Sequence, residues 1–338
     1  MTTPVKPLET FGASSQRALE EFRLDYNTAL ASMPKVWAES LGDMLSGNSL
    51  KDTYPIALDV QKYRELTGQN ADAIDIKVKD ISVIKREFAS AAQAELRRLQ
   101  RGDFAYVRQW QRRSEAMARA RVFLRNHIAA TLIETGETSG TCALDGAAFF
   151  SESHPVNPFD ASITYNGSAT WSNLQASATP LNATNLTAEK TLFKQTPGPD
   201  GEELGLEATH VLVPTALDDT AYNLLSVQDL ILSGALSGGG DGTMGGVRNP
   251  HYNSGLSKFR APELTGNGAN SDWYLLSETA FSQGLFPWVI SEDASEELRT
   301  WDESSDYYKS TSKIKVESRI MLEAAFLFPH GIRKISGA

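Results

Sequence analysis

The sequence contains a single cysteine, Cys142. One thiol cannot form a disulfide within the chain, and a metal site made of thiolates alone would need several chains. No segment approaches the roughly 18 to 20 consecutive apolar residues that a membrane span requires. The first fifteen residues also lack the charged and then apolar pattern of a secretory signal. We therefore expect a protein that is made and assembled in the cytoplasm and has no membrane partner.

Positive charge is also scarce, because 32 Lys and Arg residues are set against 42 Asp and Glu residues and the formal net charge is -10. A protein whose main task is to grip nucleic acid usually presents a basic surface, so this balance argues against that class. The hydrophobic fraction of 41% and the charged fraction of 22% are typical of a globular chain with a core to bury. One or two compact domains with extended segments fit this length.

Motifs for catalysis are few. Residues 240–245 match the dinucleotide-binding pattern G-x-G-x-x-G, but they do not lie between a strand and the start of a helix. Cys142, Asp145 and His154 are residue types found in nucleophile sets and metal sites. Their spacing follows no known ligand pattern and favours a buried thiol and a turn histidine. The sequence therefore predicts no enzyme, no cofactor and no metal site.

Hydrophobic periodicity organises the N-terminal third of the chain. Two short stretches carry apolar residues at helical spacing: Leu19, Phe22, Tyr26 and Leu30, and then Trp37, Leu41, Met44 and Leu45. Each is too short to fold alone, so we expect arms that dock on this subunit or on a neighbour. Alternation over residues 73–88 predicts a projecting two-stranded hairpin. Residues 103–134 contain no Gly or Pro and predict one helix, capped by Asp103 and about 45 to 50 Å long.

The rest of the chain reads as a loop-rich segment followed by a second lobe. Residues 140–180 are rich in Ser, Thr, Asn and Pro and are too long for a simple connector. Mixed patterns then predict helices near residues 187–194 and from Leu217, strands at 210–213 and 273–276, and a closing strand at 313–328 with a return through Ile332 and Ile335.

The order of these elements resembles the Hong Kong ninety-seven type capsid fold of tailed phages, and three local segments agree. The run from Cys142 to Pro155, with its Asp-Gly, Phe-Phe and His-Pro pairs, is similar to Mu-like major head proteins. The segment from Tyr54 to Gly68 is similar to the one before their extended hairpin, the E-loop. The segment from Glu317 to Pro329 resembles the closing strand of the fold.

The resemblance implies an α+β fold with the architecture of a phage capsid subunit. It implies an N-terminal arm at residues 1–53, an E-loop region at 54–102, a peripheral domain with the spine helix and a long loop at 103–183, an axial domain at 184–312, and a C-terminal strand returning to the peripheral domain at 313–338.

The resemblance also implies a function. The chain would be a major capsid protein of the virion that self-assembles, as hexamers and pentamers, into an icosahedral shell around the double-stranded DNA of a tailed bacteriophage. It would contact that DNA without sequence specificity and work with a separate scaffold, a portal and decoration proteins. The alternative is an encapsulin-like nanocompartment shell of the same fold, which encloses a cargo enzyme.

Charge is distributed unevenly, with arginines on the E-loop base and spine and acidic residues late in the chain. A solvated helix face, contacts between subunits and contact with packaged DNA all remain open as explanations. Arginine suits subunit contacts because its planar fork pairs with carboxylates. The residues predicted to contact neighbouring subunits are Phe22, Tyr26, Leu30, Arg97, Arg98, Arg112, Arg113, Asp302, Glu303 and Asp306.

Overall fold

The computed structural model describes residues 15–57, 78–230, 247–252, 254–265, 271–293 and 297–337. These residues confirm the predicted α+β class, because two five-stranded sheets pack with one long helix. The helices are α1 (Ser15–Ser32), α2 (Trp37–Leu41), α3 (Leu96–Gln100), α4 (Phe104–Glu134), α5 (Ala183–Lys194), α6 (Asp218–Ser226), α7 (Glu278–Ser282) and α8 (Asp306–Thr311). The strands are β1 (Asp43–Ser46), β2 (Lys51–Ala57), β3 (Val78–Ile84), β4 (Arg86–Glu95), β5 (His154–Pro155), β6 (Thr170–Trp171), β7 (Leu174–Gln175), β8 (His210–Val213), β9 (Asp229–Leu230), β10 (Val247–Arg248), β11 (Ser257–Arg260), β12 (Trp273–Leu276), β13 (Trp288–Glu292), β14 (Glu297–Trp301), β15 (Lys313–Phe326) and β16 (Ile332–Ile335).

The first sheet is built around β15, which has 14 residues. On one edge, β4 pairs with it antiparallel from Lys313 to Leu322. On the other edge, β14 pairs with residues 315–319 and β13 with residues 322–326, and β1 joins parallel to β13. Burial alternates along much of β15, as expected of a strand with one face on the core. This one strand therefore aligns three others.

The second sheet has the order β11-β8-β12-β16-β7. All residues of β12 and β16 are buried, so both strands are covered on both faces. Two cations of β16 are buried there, and both are paired. Arg333 lies 2.6 Å from a Glu189 carboxylate oxygen, and Lys334 lies 2.8 Å from Asp272. Because an unpaired buried charge is costly, these pairs explain how charged residues fit a central strand.

The spine helix α4 forms as the sequence predicts. The Asp103 side chain accepts a hydrogen bond from the backbone N–H of Tyr106 at 3.3 Å and caps the helix. The 31 residues extend about 45 Å at about 1.5 Å per residue. One face of α4 is a stripe of buried side chains that includes Val122 and Asn126. Thr131, near the C-terminal end of the helix, is exposed. No helix in the described ranges has both the length and the hydrophobicity to cross a membrane.

The first arm stretch folds as α1 and packs along the spine of its own chain. Phe22 and Tyr26 are 1% and 0% exposed. The Phe22 ring lies 4.5 Å from the Trp110 ring, and the Tyr26 hydroxyl lies 3.3 Å from the Ser318 hydroxyl on β15. Leu30 is half-buried at the margin of the same core. The prediction that Phe22 and Tyr26 contact a neighbouring subunit is therefore corrected. Their apolar surfaces are already covered within the subunit, against the spine of the same chain.

The second arm stretch is only partly helical. Helix α2 ends at Leu41, and Met44 and Leu45 lie in strand β1, paired with Ile290 and Ser291 of β13. The bend occurs at Gly42, where an added Cβ would lie 2.0 Å from the Trp288 ring nitrogen. Only a residue without a side chain permits this close approach. Helical spacing therefore extended the prediction four residues too far.

The predicted hairpin at residues 73–88 needs a correction of its strand partners. Its described part comprises β3 and the start of β4, which belong to different sheets. Strand β3 pairs antiparallel with β2, which lies before it in the chain, and β4 pairs with β15. The hairpin is therefore β2–β3, and Lys85 separates it from the main sheet. Residues 73–77 lie outside the described residues.

Sheet membership departs from the predicted domain division in two places. Strands β13 and β14 fall within the predicted axial region, yet they pair with β15 in the first sheet. Strand β16, predicted to return to the peripheral domain, joins the second sheet beside β12. Short strands carry no sign in the sequence of which sheet they enter, since that depends on long-range pairing.

The packing of α1 against the spine gives a first prediction. Phe22→Ala should lower the free energy of unfolding by about 3–5 kcal/mol, because the substitution leaves a cavity beside Trp110. Leu24→Ala on the same helix is the matched control, since Leu24 is 55% exposed, and its effect should stay within about 0.5 kcal/mol. Denaturant unfolding of the unassembled chain, followed by circular dichroism, measures both. Equal effects of the two variants would contradict the placement of α1.

Candidate subunit interface

An exposed group of arginines lies where α3 meets the start of α4. We call it the basic surface, and it comprises Arg97, Arg98, Arg101, Arg108, Arg112 and Arg113. Arg98 stacks 4.2 Å from the Tyr106 ring centroid and lies 2.8 Å from the Asp103 carboxylate. This contact, with the hydrogen bond from the Tyr106 N–H, holds the pKa of Asp103 below its ordinary value. Arg98 is thus already paired with residues of its own chain.

The loop before helix α8 and the first residue of that helix carry Asp302, Glu303 and Asp306, and we call this segment the acidic loop. The Asp302 carboxylate accepts bonds from the N–H and the hydroxyl of Ser304, at 3.0 and 2.6 Å, so it mainly shapes the turn. These bonds hold the pKa of Asp302 below its ordinary value. Glu303 and Asp306 are exposed, and Asp306 lies 2.9 Å from Lys309 one turn along α8. Glu303 and Asp306 are therefore the acidic groups best placed to meet another molecule.

The basic surface and the acidic loop lie at the same end of the first sheet. Gln93 of β4 connects them, because its backbone carbonyl accepts from Arg113 at 3.2 Å and its side chain accepts from the Tyr307 hydroxyl. Lys315 of β15 stacks on the Trp301 ring at 4.4 Å and fixes the other side of the loop. One end of the subunit therefore presents exposed charges of both signs on rigid elements.

Two other arginines of the spine form ion pairs within the chain. Arg121 and Arg125 on α4 lie 2.8 and 2.6 Å from the two carboxylate oxygens of Glu292, and Arg125 also contacts Glu39 of α2. Burial alone would raise the pKa of Glu292, but the bonds from Arg125 and Arg121 outweigh it and hold the pKa below its ordinary value. This network ties arm, spine and first sheet together.

The base of the β2–β3 hairpin is held by a buried ion pair. Lys85 has a fully buried ammonium group 2.8 Å from an Asp52 oxygen, and it also donates to the Gly47 carbonyl at 2.5 Å. Ser291 donates to the same Asp52 carboxylate at 2.5 Å. The bonds from Lys85 and Ser291 hold the pKa of Asp52 below its ordinary value. Charge patterning in the sequence gave no sign of this clamp.

A third polar group, unrelated to the exposed charges, forms in the loop after the spine. Cys142 and His154 are buried, and Asp145 lies between them. His154 Nδ1 lies 2.6 Å from an Asp145 oxygen. Burial and the adjacent Asp145 raise the pKa of Cys142 to about 12. Spacing gave no ligand pattern for these residues, yet the fold brings them together.

Comparison with known proteins places the chain among phage shells. Residues 87–335 match the family described as Phage capsid protein. No curated protein sequence matches the chain significantly. The structure is similar to a chain of the procapsid of bacteriophage JBD30, with 15% identity and a TM-score of 0.53, over 96% of this chain and 75% of that one. It is also similar to the capsid chain of an empty GTA particle, with 10% identity and a TM-score of 0.52, over 90% and 91%. These likenesses confirm the predicted capsid fold.

The buried network around Glu292 gives a prediction with a defined pH dependence. Glu292→Gln should lower the free energy of unfolding at pH 7 by about 1–3 kcal/mol, because two half-buried arginines lose their shared carboxylate while Arg125 keeps Glu39. Since the folded pKa of Glu292 lies below the ordinary value of 4.5, its contribution is complete above that value and is lost as pH falls through the folded pKa. The difference between wild type and variant should therefore shrink in acid.

The control for this prediction is Glu303→Gln, which removes an exposed carboxylate of the acidic loop. It should change stability by no more than about 0.5 kcal/mol at any pH. Urea unfolding at several pH values measures both variants. A Glu292→Gln effect that is independent of pH would argue against the network.

Proposed function

This chain belongs to the phage capsid protein family, and we propose that it is the major subunit of an icosahedral shell enclosing the double-stranded DNA of a tailed bacteriophage. The observation that carries the proposal is the family match over residues 87–335. It favours a virus over the alternative, a nanocompartment shell with an enzyme cargo. A structural role follows from the family, and the described residues need no catalytic chemistry to fulfil it.

The distribution of stabilising contacts supports an assembling subunit. Buried pairs such as Lys85–Asp52 and Arg333–Glu189 use charge inside the fold. The basic surface and the acidic loop keep theirs outside, at one end of the molecule. Because this one end carries charges of both signs, two copies can meet through it about a two-fold axis, with each basic surface facing the other copy's acidic loop. We propose that Arg97, Arg112 and Arg113 of one copy face Glu303 and Asp306 of the next.

Further partners are proposed from the same premise. A shell of hexamers and pentamers needs a portal for DNA entry, and we propose a separate scaffold and decoration proteins beside it. Contact with packaged DNA would be weak and independent of sequence, because the chain carries a net charge of -10. Assembly in the host cytoplasm belongs to the same proposal.

Electron microscopy of the purified protein tests the function directly. Negative-stain images should show closed shells of uniform size, from the chain alone or after a scaffold is supplied. Size-exclusion chromatography should show these shells in exchange with unassembled subunits. A protein that stays monomeric with and without the phage's scaffold, although circular dichroism shows it folded, would contradict the proposal.

The charged surfaces give a sharper prediction. Reversing Arg112 and Arg113 to Glu should abolish or strongly reduce shell formation at physiological salt, because like charges would face each other across the contact. Subunit stability should change little, since both side chains are exposed. Shell yield by chromatography and unfolding of the unassembled chain separate the two effects.

A charge swap serves as the matched control. Adding Glu303→Lys and Asp306→Lys to the Arg112→Glu and Arg113→Glu variant should restore shells if these surfaces meet each other. Normal shells from the arginine variant alone would eliminate the basic surface as a contact. A folded quadruple variant that stays unassembled would show that the basic surface pairs elsewhere.

A further inference from the structure

The loop that follows the spine helix folds back on itself and brings three ligand-type side chains together. The N–H of Gly146 donates to the Cys142 carbonyl at 2.8 Å, and Gly146 has a φ of 79°, which permits the tight turn. Strand β5 then returns His154 to this turn. The Cys142 sulfur, an Asp145 oxygen and a His154 nitrogen lie within 4.8 Å of one another.

The surroundings of His154 decide which ring nitrogen carries a proton. Its Nε2 lies 3.1 Å from the Phe149 carbonyl and 3.2 Å from Asn173 Oδ1. Asn173 Oδ1 also accepts from the Ser151 N–H, which fixes the orientation of the amide. Both neighbours of Nε2 are therefore acceptors, so Nε2 must carry a hydrogen. Nδ1 is left to face the cluster.

Nδ1 and Asp145 cannot face each other without a positive charge between them. At 2.6 Å, two lone pairs would repel, so a proton lies between them. A metal ion bonded to both atoms at about 2.0–2.2 Å would replace this proton and hold the two atoms about 3.3 Å apart. Without a metal, the cluster holds this shared proton and the proton of the Cys142 thiol, and its net charge is zero. With a divalent ion, it holds a neutral imidazole, a carboxylate and a thiolate, and the net charge with the ion is again zero. Binding therefore releases two protons and leaves no uncompensated charge in the buried site.

A second observation comes from His330, which is 2% exposed. Neither of its ring nitrogens has a hydrogen-bond partner among the described residues. Its ring stacks 4.6 Å from the Trp171 ring, which lies 5.3 Å from His154. A buried polar group without a partner costs about 1–3 kcal/mol, which makes it a marker for a missing water or ion.

We propose that Cys142, Asp145 and His154 form a binding site for a zinc-class divalent metal ion, which fastens the loop after the spine. Mixed sulfur, nitrogen and oxygen donors suit zinc and cobalt and do not suit magnesium or calcium, which prefer oxygen alone. The bond from His154 Nε2 to the Phe149 carbonyl is the outer contact that metal-ligating histidines commonly make. Three protein ligands leave the fourth tetrahedral position to water.

Cobalt is the probe for this site. The full-length chain is produced with Co²⁺ in the medium and, separately, purified without metal and titrated with Co²⁺ or Zn²⁺. We expect one metal per chain, two protons released on binding, a thiolate-to-cobalt absorption band, and a higher melting temperature with Zn²⁺. Because Cys142 is the only cysteine, the band identifies this residue even without a variant.

Variants give the second arm of the test. Cys142→Ser and Asp145→Asn should each weaken Zn²⁺ binding at least tenfold and remove the metal-dependent rise in melting temperature. His127→Ala, which changes an exposed histidine on α4, should leave both unchanged. The proposal is overturned if folded wild-type protein shows no cobalt–thiolate band by either route, or if Cys142→Ser binds zinc as tightly as wild type.

Discussion

Strand β15 is the element on which the rest of the structure depends. Its 14 residues pair with β4 on one edge and with β14 and β13 on the other, so one strand sets the register of three. Ile314 and Val316 pack into the core under α1, whereas Leu322 and Phe326 pack into the larger core shared with the second sheet. Strand β15 thus joins the two hydrophobic cores, as does α4, whose Trp110 lies in the first core and Ile133 in the second.

Charge is divided between the inside and the outside of the fold by the same architecture. The arginines of α4 that face the first sheet, Arg121 and Arg125, find the Glu292 carboxylate, while Arg112 and Arg113 near the start of the helix remain exposed. One face of the helix therefore fixes the subunit, and we propose that another face offers charge to a neighbour. Under this proposal, removing the internal pairs affects folding, whereas changing the exposed charges affects association.

Local pattern in the sequence predicted much of this fold. The spine, with its cap at Asp103, and strand β15 follow from periodicity and the absence of Gly and Pro, because long regular segments carry strong local signals. The sheet partners of β3, β13 and β16 depended on long-range pairing, which leaves no local trace. Likewise, spacing alone gave no indication that Phe22 packs on its own spine or that Asp145 and His154 meet. Of the candidate interface, the sequence indicated only the concentration of arginines that forms the basic surface.

Hydrogen exchange compares the unassembled subunit with the shell and tests the central claim, that β15 completes the fold of one chain while other surfaces await neighbours. The account predicts that amides of β15 are strongly protected in both states. Protection of α3 and of the acidic loop should increase only on assembly, because short elements with exposed backbone exchange readily in the free subunit. Slow exchange of β15 that appears only in shells would contradict the account, as would equal protection of α3 and the acidic loop in the free subunit.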